Sequence, residues 1–341
     1  MADLFSTDVL TGIVRNPKNM PKTWLLDMFF PNVQTETSEE IHFDVEEEDI
    51  SLAPFVSPLV EGKIVVEKGY KTSTFKPAYL KPKTPLDPTR PLKRAMGEQI
   101  GGSLSPQQRI ALQVRNVLEQ HRNSIDRRLE VMAGQALVTG KVTVTGEKYA
   151  TQVVDFGRDA ANTIPVAGGS KWTDAGVKPL NDLQDWSDIG LGNSGFGTRI
   201  ATMTIDVWKV FREDADVKSR LELRRASQGT MDLGAQMEYG GIYRGEIDGF
   251  QIYTYANTYT DENGVVQNVI PDGTVILSSA GLMGYRAFGA IYDEGVGYMP
   301  LEYYSKSWIE NDPSRRVILT QSAPLVVPYR VNASVCATGV V

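Results

Sequence analysis

The sequence predicts an α+β protein with one long amphipathic helix, several β-ribbons and an extended leading segment. Three observations carry this. Across residues 105–139 apolar and semi-apolar side chains recur in steps of four and three, the period of a single helix face. Strand-like runs occupy residues 200–205, 250–255, 274–278 and 316–331. Between Pro31 and Arg94 there is no convincing helical period and no core pattern. That stretch is extended chain punctuated by Pro54, Pro58, Pro77, Pro82, Pro85, Pro88 and Pro91.

Bulk properties narrow the function classes. A length of 341 residues suits roughly two domains. A content of 41% hydrophobic and 23% charged residues is that of an ordinary soluble globular protein. No apolar run approaches the roughly 18 residues that span a bilayer, and no charged start precedes an apolar core, so neither membrane nor secretory signal is expected. The single cysteine, Cys336, excludes an intrachain disulfide framework and fits a reducing compartment. A net charge of −7 declares no overall basic face for gripping phosphates.

Residues 1–30 read as an arm. Leu4, Phe5, Val9, Leu10 and Ile13 form one face of a short helix, and Trp24, Leu25, Leu26, Met28, Phe29 and Phe30 form an apolar patch that needs cover. From 34 to 50 there are eight acids and no Lys or Arg. A candidate hairpin follows, with one strand at 62–66, a turn at 67–70 around Gly69, and a return at 71–79. Nine bases face three acids between 60 and 94. An isolated strand pair is marginal in water, so this segment is expected to order by lying on neighbouring copies of the chain. The candidate inter-subunit contacts are Lys63, Lys68, Lys71, Lys76 and Phe75 of the loop, Glu46, Glu47, Glu48 and Asp49 of the acidic strand, and Phe29 and Phe30.

Ser105-Pro106-Gln107-Gln108 is a capping box with proline at the first helical position. Ile110, Val114, Leu118, His121, Ile125, Leu129, Met132 and Ala136 then make the buried stripe, and Gly140 stops the helix. The wet face is assigned to Arg109, Arg115, Glu119, Arg122, Asp126, Arg127 and Glu130. A ribbon follows at 141–157. Residues 157–197 read as glycine-rich loop, 200–205 as a strand, 207–223 as a helix, and Asp261-Glu262-Asn263-Gly264 as a hairpin turn.

No motif carries catalysis. Gly190-Leu191-Gly192-Asn193-Ser194-Gly195 matches G-x-G-x-x-G, but a dinucleotide site needs a strand before it and a helix after it, and neither is expected here. A mobile glycine loop is expected instead. There is no phosphate-cradling NTPase loop and no nucleophile elbow. The only histidines, His42 and His121, lack metal-ligand spacing. The run at 46–49 lacks the spacing of a calcium loop. The reading is a non-catalytic protein without cofactor, metal or catalytic residues.

Ordered short pieces then form a specific pattern. Phe29-Phe30-Pro31 precedes the acidic strand. Leu52-Ala53-Pro54, Ser57-Pro58-Leu59-Val60-Glu61-Gly62 and Phe75-Lys76-Pro77-Ala78-Tyr79 follow. Thr145-Gly146-Glu147 and Val154-Asp155-Phe156-Gly157-Arg158 close the ribbon. Late in the chain come Ile247-Asp248-Gly249-Phe250, Pro271-Asp272-Gly273-Thr274-Val275, Lys306-Ser307-Trp308, Asp312-Pro313 and Gln321-Ser322-Ala323-Pro324-Leu325. In this order they resemble the lambda-like major capsid protein family of tailed bacteriophages over nearly the whole length.

The resemblance implies the tailed-phage major capsid fold. It would comprise an N-terminal arm (1–50), an extended loop over an adjacent subunit (51–94), and a peripheral domain (95–197) with spine helix 105–139 and β-ribbon 141–157. An axial domain (198–300) and a C-terminal return to the peripheral domain (301–341) complete it. The implied function is self-assembly into hexamers and pentamers of an icosahedral head around double-stranded DNA. The alternative is an encapsulin-type compartment with an enzyme cargo. Implied partners are other copies of the chain, a separate scaffolding protein (the arm begins at once), a portal, a possible decoration protein, and DNA held without sequence preference. The implied location is the virion, after assembly in the bacterial host cytoplasm. Some relatives of the fold join a loop Lys to a tail Asn. Lys68, Lys71 and Asn332 are the right types, but lambda-like shells do not rely on that link.

Overall fold

The computed structural model describes residues 4–16, 23–38, 40–46, 70–87, 89, 104–146, 149–220, 240–312 and 314–341. The helices are α1 (Thr7–Arg15), α2 (Trp24–Phe29), α3 (Pro106–Thr139), α4 (Pro179–Ser194) and α5 (Ile205–Phe211). The strands of the first half are β1 (Asn32–Thr35), β2 (Ile41–Glu46), β3 (Tyr70–Phe75), β4 (Lys83–Pro85), β5 (Lys141–Gly146), β6 (Tyr149–Asp155) and β7 (Thr163–Pro165). Then come β8 (Ile200–Met203), β9 (Gly241–Ile247), β10 (Phe250–Tyr255), β11 (Thr258–Thr260), β12 (Val266–Asn268) and β13 (Val275–Ser278). The last strands are β14 (Tyr285–Phe288), β15 (Tyr304–Asn311), β16 (Ser314–Gln321), β17 (Pro324–Val327) and β18 (Ser334–Thr338).

The 34-residue α3, about 50 Å long at 1.5 Å per residue, forms as its caps dictate. The Ser105 hydroxyl accepts the Gln108 N–H, and the Gln108 side chain accepts the Ser105 N–H. Gly140 ends the helix at φ 68°, a left-handed conformation that favours glycine. A Cβ there would also lie 2.5 Å from Arg158 Cβ. The expected stripe is buried from Val114 to Ala136, with Ile110 half-buried. Two residues of the expected wet face are not wet: Asp126 and Glu130 are buried, because arm and strand elements cover that side.

Two apolar cores result. One joins α1, α2 and α3 to β14, β17 and the β5–β6 ribbon. The other packs α4 and α5 on a six-stranded sheet of order β7-β18-β13-β8-β10-β9. β1 runs parallel to β14, which pairs with β17. β15, β16 and β4 form a third sheet. β14 joins β1 and β17, while β18 lies inside the six-stranded sheet between β7 and β13.

Four further expectations are corrected. The segment read as a mobile glycine loop contains α4, with Pro179 at its first turn and Leu180, Leu183, Trp186 and Gly190 buried along one side. The helix expected over 207–223 stops at Phe211. The Asp214 carboxylate then accepts the N–H groups of Asp216 and Val217 and starts a separate helical turn at 215–220. Residues 221–223 lie outside the described residues. The return strand at 70–75 pairs with the acidic strand 41–46, in register Ile41↔Phe75 to Glu46↔Tyr70. The strand expected at 62–66 and the turn at 67–69 lie outside the described residues. Finally, the arm covers its apolar patch within its own chain: Trp24, Leu25, Leu26, Phe29 and Phe30 all belong to the core around α3.

Candidate assembly surface

The extended segment is rooted on its own subunit at both ends. β2 and β3 pair, and Phe75 at the base is buried. Beyond it the Tyr79 hydroxyl donates to Ala290 O at 2.6 Å and accepts the Tyr292 N–H at 3.2 Å. β4 adds to β16, placing Thr84 opposite Ile318. His121 of α3 bridges these strands: Nε2 lies 2.8 Å from the Thr84 hydroxyl and Nδ1 lies 3.0 Å from that of Thr320. Burial lowers the imidazole pKa to about 4, so the ring is neutral near pH 7. Lys81 stands over the Tyr79 ring, and Lys83 stands over Trp308 and pairs with Glu310 at 3.4 Å.

The candidate contact residues divide into three groups. Lys63, Lys68, Glu47, Glu48 and Asp49 lie outside the described residues. Glu46 and Lys71 belong to the β2–β3 ribbon, where acidic and basic strands meet within one chain. Lys76 is exposed beside the ribbon, whereas Phe29, Phe30 and Phe75 are buried in the subunit's own core. Sequence reasoning missed an exposed aromatic group next to the root. The Tyr292 ring lies tilted 6.2 Å from Tyr79 and edge-on 6.1 Å from Tyr298, with Met299 alongside in sequence and also exposed. Asn332 accepts the Asp159 N–H.

Behind this surface, α3 carries a second missed set. Arg122 donates to Val14 O at 2.6 Å and Arg15 O at 2.7 Å, the last carbonyls of α1. It also pairs with Asp126 at 3.2 Å and lies over the Tyr303 ring. Asp126 accepts the Tyr303 hydroxyl, and burial pushes its pKa up. One turn on, Glu130 accepts the N–H groups of Leu25 (3.0 Å) and Leu26 (3.1 Å) and the Tyr255 hydroxyl (2.7 Å). Burial raises its pKa to about 7 against the pull of those bonds. The only trace in the sequence is position, since Asp126 and Glu130 each follow a stripe residue, Ile125 and Leu129.

Among the described residues no group of His, Cys, Asp and Glu could hold a metal ion. None of the described helices is long and apolar enough to cross a membrane. The G-x-G-x-x-G run falls at the C-terminal end of α4, the wrong pole for a pyrophosphate.

A long spine helix, a mixed six-stranded sheet and paired two-stranded ribbons define a capsid-type shell subunit. A family model described as phage major capsid protein E matches residues 6–338, and the chain belongs to that family. The major capsid protein of Escherichia phage lambda is 30% identical over 311 residues, 89% of each chain. That of Enterobacteria phage P21 is 29% identical over 336 residues, 95% of this chain and 96% of the relative. Among solved structures, a prophage capsid protein of Escherichia coli CFT073 superposes with a TM-score of 0.72 at 22% identity, covering 97% and 98% of the two chains. A phage-related protein of Bordetella bronchiseptica RB50 gives a TM-score of 0.57 at 12% identity over 100% and 99%. The chain is thus a lambda-like major capsid protein, a structural component of the virion shell and not an enzyme. The encapsulin alternative is not favoured, because the sequence relatives are phage capsid proteins.

Proposed function

We propose that copies of this chain form the hexamers and pentamers of an icosahedral head around double-stranded DNA, with residues 47–69 clamping an adjacent subunit. One observation carries the clamp: both ends of that 23-residue connection leave from one paired ribbon whose base is tied to β14–β16 surroundings by Tyr79, Thr84 and Leu80. At a limit of roughly 3.3 Å per residue, a connection of this length is long enough, out and back, for the proposed reach to an adjacent subunit. Lys63 and Lys68 of the connection, with exposed Lys76 beside its root, are its cationic contacts, and the acidic residues 46–49 of a neighbour supply a complement. Each exposed ion pair contributes only about 0–1 kcal/mol, so register comes from charge and stability from many simultaneous contacts.

The arm and α3 belong to the peripheral part of the subunit and the sheet region at 198–300 to the axial part around the capsomer centre. The head assembles in the host cytoplasm with a separate scaffolding protein and a portal, and a decoration protein is a further possible partner. DNA is held weakly and without sequence preference, as the net charge of −7 favours. The test is excision of 47–69, joining β2 to β3 through a two-residue Asn-Gly turn. Folded subunits that fail to close into stable shells are expected; normal shells would overturn the clamp.

A further inference from the structure

α3 meets the six-stranded sheet through two polar ties, two helical turns apart. At the first, Glu130 of α3 takes the hydroxyl of Tyr255 on β10 while also holding the first turn of α2. At the second, Arg158 donates to Leu137 O at the end of α3 and to Ser334 O on β18. Residues 130 and 137 stand about 10 Å apart along the axis at 1.5 Å per residue. Two fixed points on a rod set its direction against the sheet.

The first tie is reinforced by a wedge. Trp24 of α2 packs 5.2 Å from the Tyr253 ring and 5.8 Å from Tyr255. It also lies so close to Gly241 of β9 that a Cβ there would meet the indole at 2.5 Å. Such close packing leaves α2 little room to shift against β9 and β10, and Glu130 ties α3 to α2. The carboxylate is an expensive tie inside an apolar core. Glu130 is 1% exposed, and its burial opposes ionisation. Replacing buried charge by apolar packing is often neutral or stabilising. What a carboxylate with three donors adds is direction, because its bonds fail when the partners move.

We propose that Glu130 is an angle-setting joint, fixing the tilt of α3 against the six-stranded sheet and so the curvature at which copies close into a shell. The part concerning curvature rests on the closed icosahedral shell proposed above; the part concerning tilt is a property of the single subunit. Different tilts would present the arm and ribbon side at different angles to the sheet side, and closure needs one angle within a narrow range.

The experiment reads both parts separately. Spin labels on Gln107→Cys and Gln251→Cys, exposed on α3 and β10, report the tilt in unassembled full-length subunits; the natural Cys336 is buried and stays unlabelled. In this background Tyr255→Phe removes one hydroxyl from the joint, and Glu130→Gln replaces an acceptor by a donor facing the arm amides. Val207→Ala, which trims the other core, is the control for stability alone. The expected result is at least a twofold broadening of the distance distribution for Tyr255→Phe and Glu130→Gln, none for Val207→Ala, and at least a twofold wider spread of shell diameters in electron micrographs. Unchanged distance distributions, or equal broadening by Val207→Ala, overturn the joint. If Glu130→Gln does not fold, Tyr255→Phe decides alone. A broadened tilt with uniform shells overturns the link to curvature, whereas loss of the clamp reading would show only in the 47–69 excision.

Discussion

Arg122 and Glu130, two turns apart on α3, hold the two arm helices by opposite poles. Arg122 places its guanidinium on the last carbonyls of α1, and Glu130 places its carboxylate on the first N–H groups of α2. Each charge meets the helix end whose dipole and orphan backbone groups attract it. Asp126 between them holds Arg122 in place. The arm is therefore fastened by side chains of the helix it lies on, and its aromatic patch fills the same core.

Removing Arg122 leaves two carbonyls and a buried carboxylate without their cation. Arg122→Ala is expected to lower subunit stability by about 1.5–3 kcal/mol, the range for lost hydrogen bonds to a charged group. Arg122→Lys should recover less than half, because an ammonium cannot fork between Val14 O, Arg15 O and Asp126. Urea unfolding measures both, and equal midpoints for the wild type and Arg122→Ala would contradict the anchoring role.

His121 and Glu130 predict opposed pH dependence. The folded pKa of His121, about 4, lies below its unfolded value near 6.5. The unfolded chain therefore binds more protons between them, and this residue's contribution rises with pH across that window. Glu130 is the reverse: its folded pKa of about 7 lies above the unfolded value. Its contribution is complete below pH 4.5 and is lost as pH rises through 7. The two slopes offset each other between about pH 4.5 and 6.5. His121→Gln should thus make stability fall as pH rises through that interval, and Glu130→Gln should make it rise. Thermal melts at half-unit steps give the slopes, and unchanged slopes in both variants would contradict the assignment.

Local signals were legible and distant pairings were not. The Ser105 box, the 3.6-residue stripe and Gly140 lie within one helix, so α3 was readable from end to end. β10, at 250–255, and the Asp261–Gly264 turn were equally local. β1 on β14 joins residues about 250 apart, and no short-range pattern reports such a pairing. α4 was hidden because Gly190 and Gly192 read as breakers, although the burial spacing of Leu180, Leu183 and Trp186 is helical. Asp126 and Glu130 were assigned to water by their chemistry. Only the arrival of α1, α2, Tyr255 and Tyr303 on that face makes them interior. The leading segment pointed to assembly for a partly mistaken reason, since its first part finds cover on its own spine helix. The ordered motifs from residue 29 to 325 carried the correct family.

The two helical glycines of the G-x-G-x-x-G run should respond to alanine with opposite sign. Both lie inside α4, where Gly→Ala gains about 1 kcal/mol of helix propensity. At Gly192 nothing lies within 4 Å of a new Cβ, so Gly192→Ala should raise stability by nearly that amount. At Gly190 the Cβ would meet Thr198 Cγ2 at 2.9 Å and Val335 Cγ2 at 3.0 Å. Both neighbours are β-branched and stiff about χ1, so they yield only by moving backbone. Overpacking of this kind costs about 1–3 kcal/mol, which outweighs the propensity gain. Gly190→Ala should therefore lower the melting temperature while Gly192→Ala raises it, and nucleotide titration should show no binding to either variant or to the wild type. A phosphate-binding loop would behave differently: nucleotide would bind the wild type and stabilise it, and alanine at a glycine that the phosphates approach would weaken that binding.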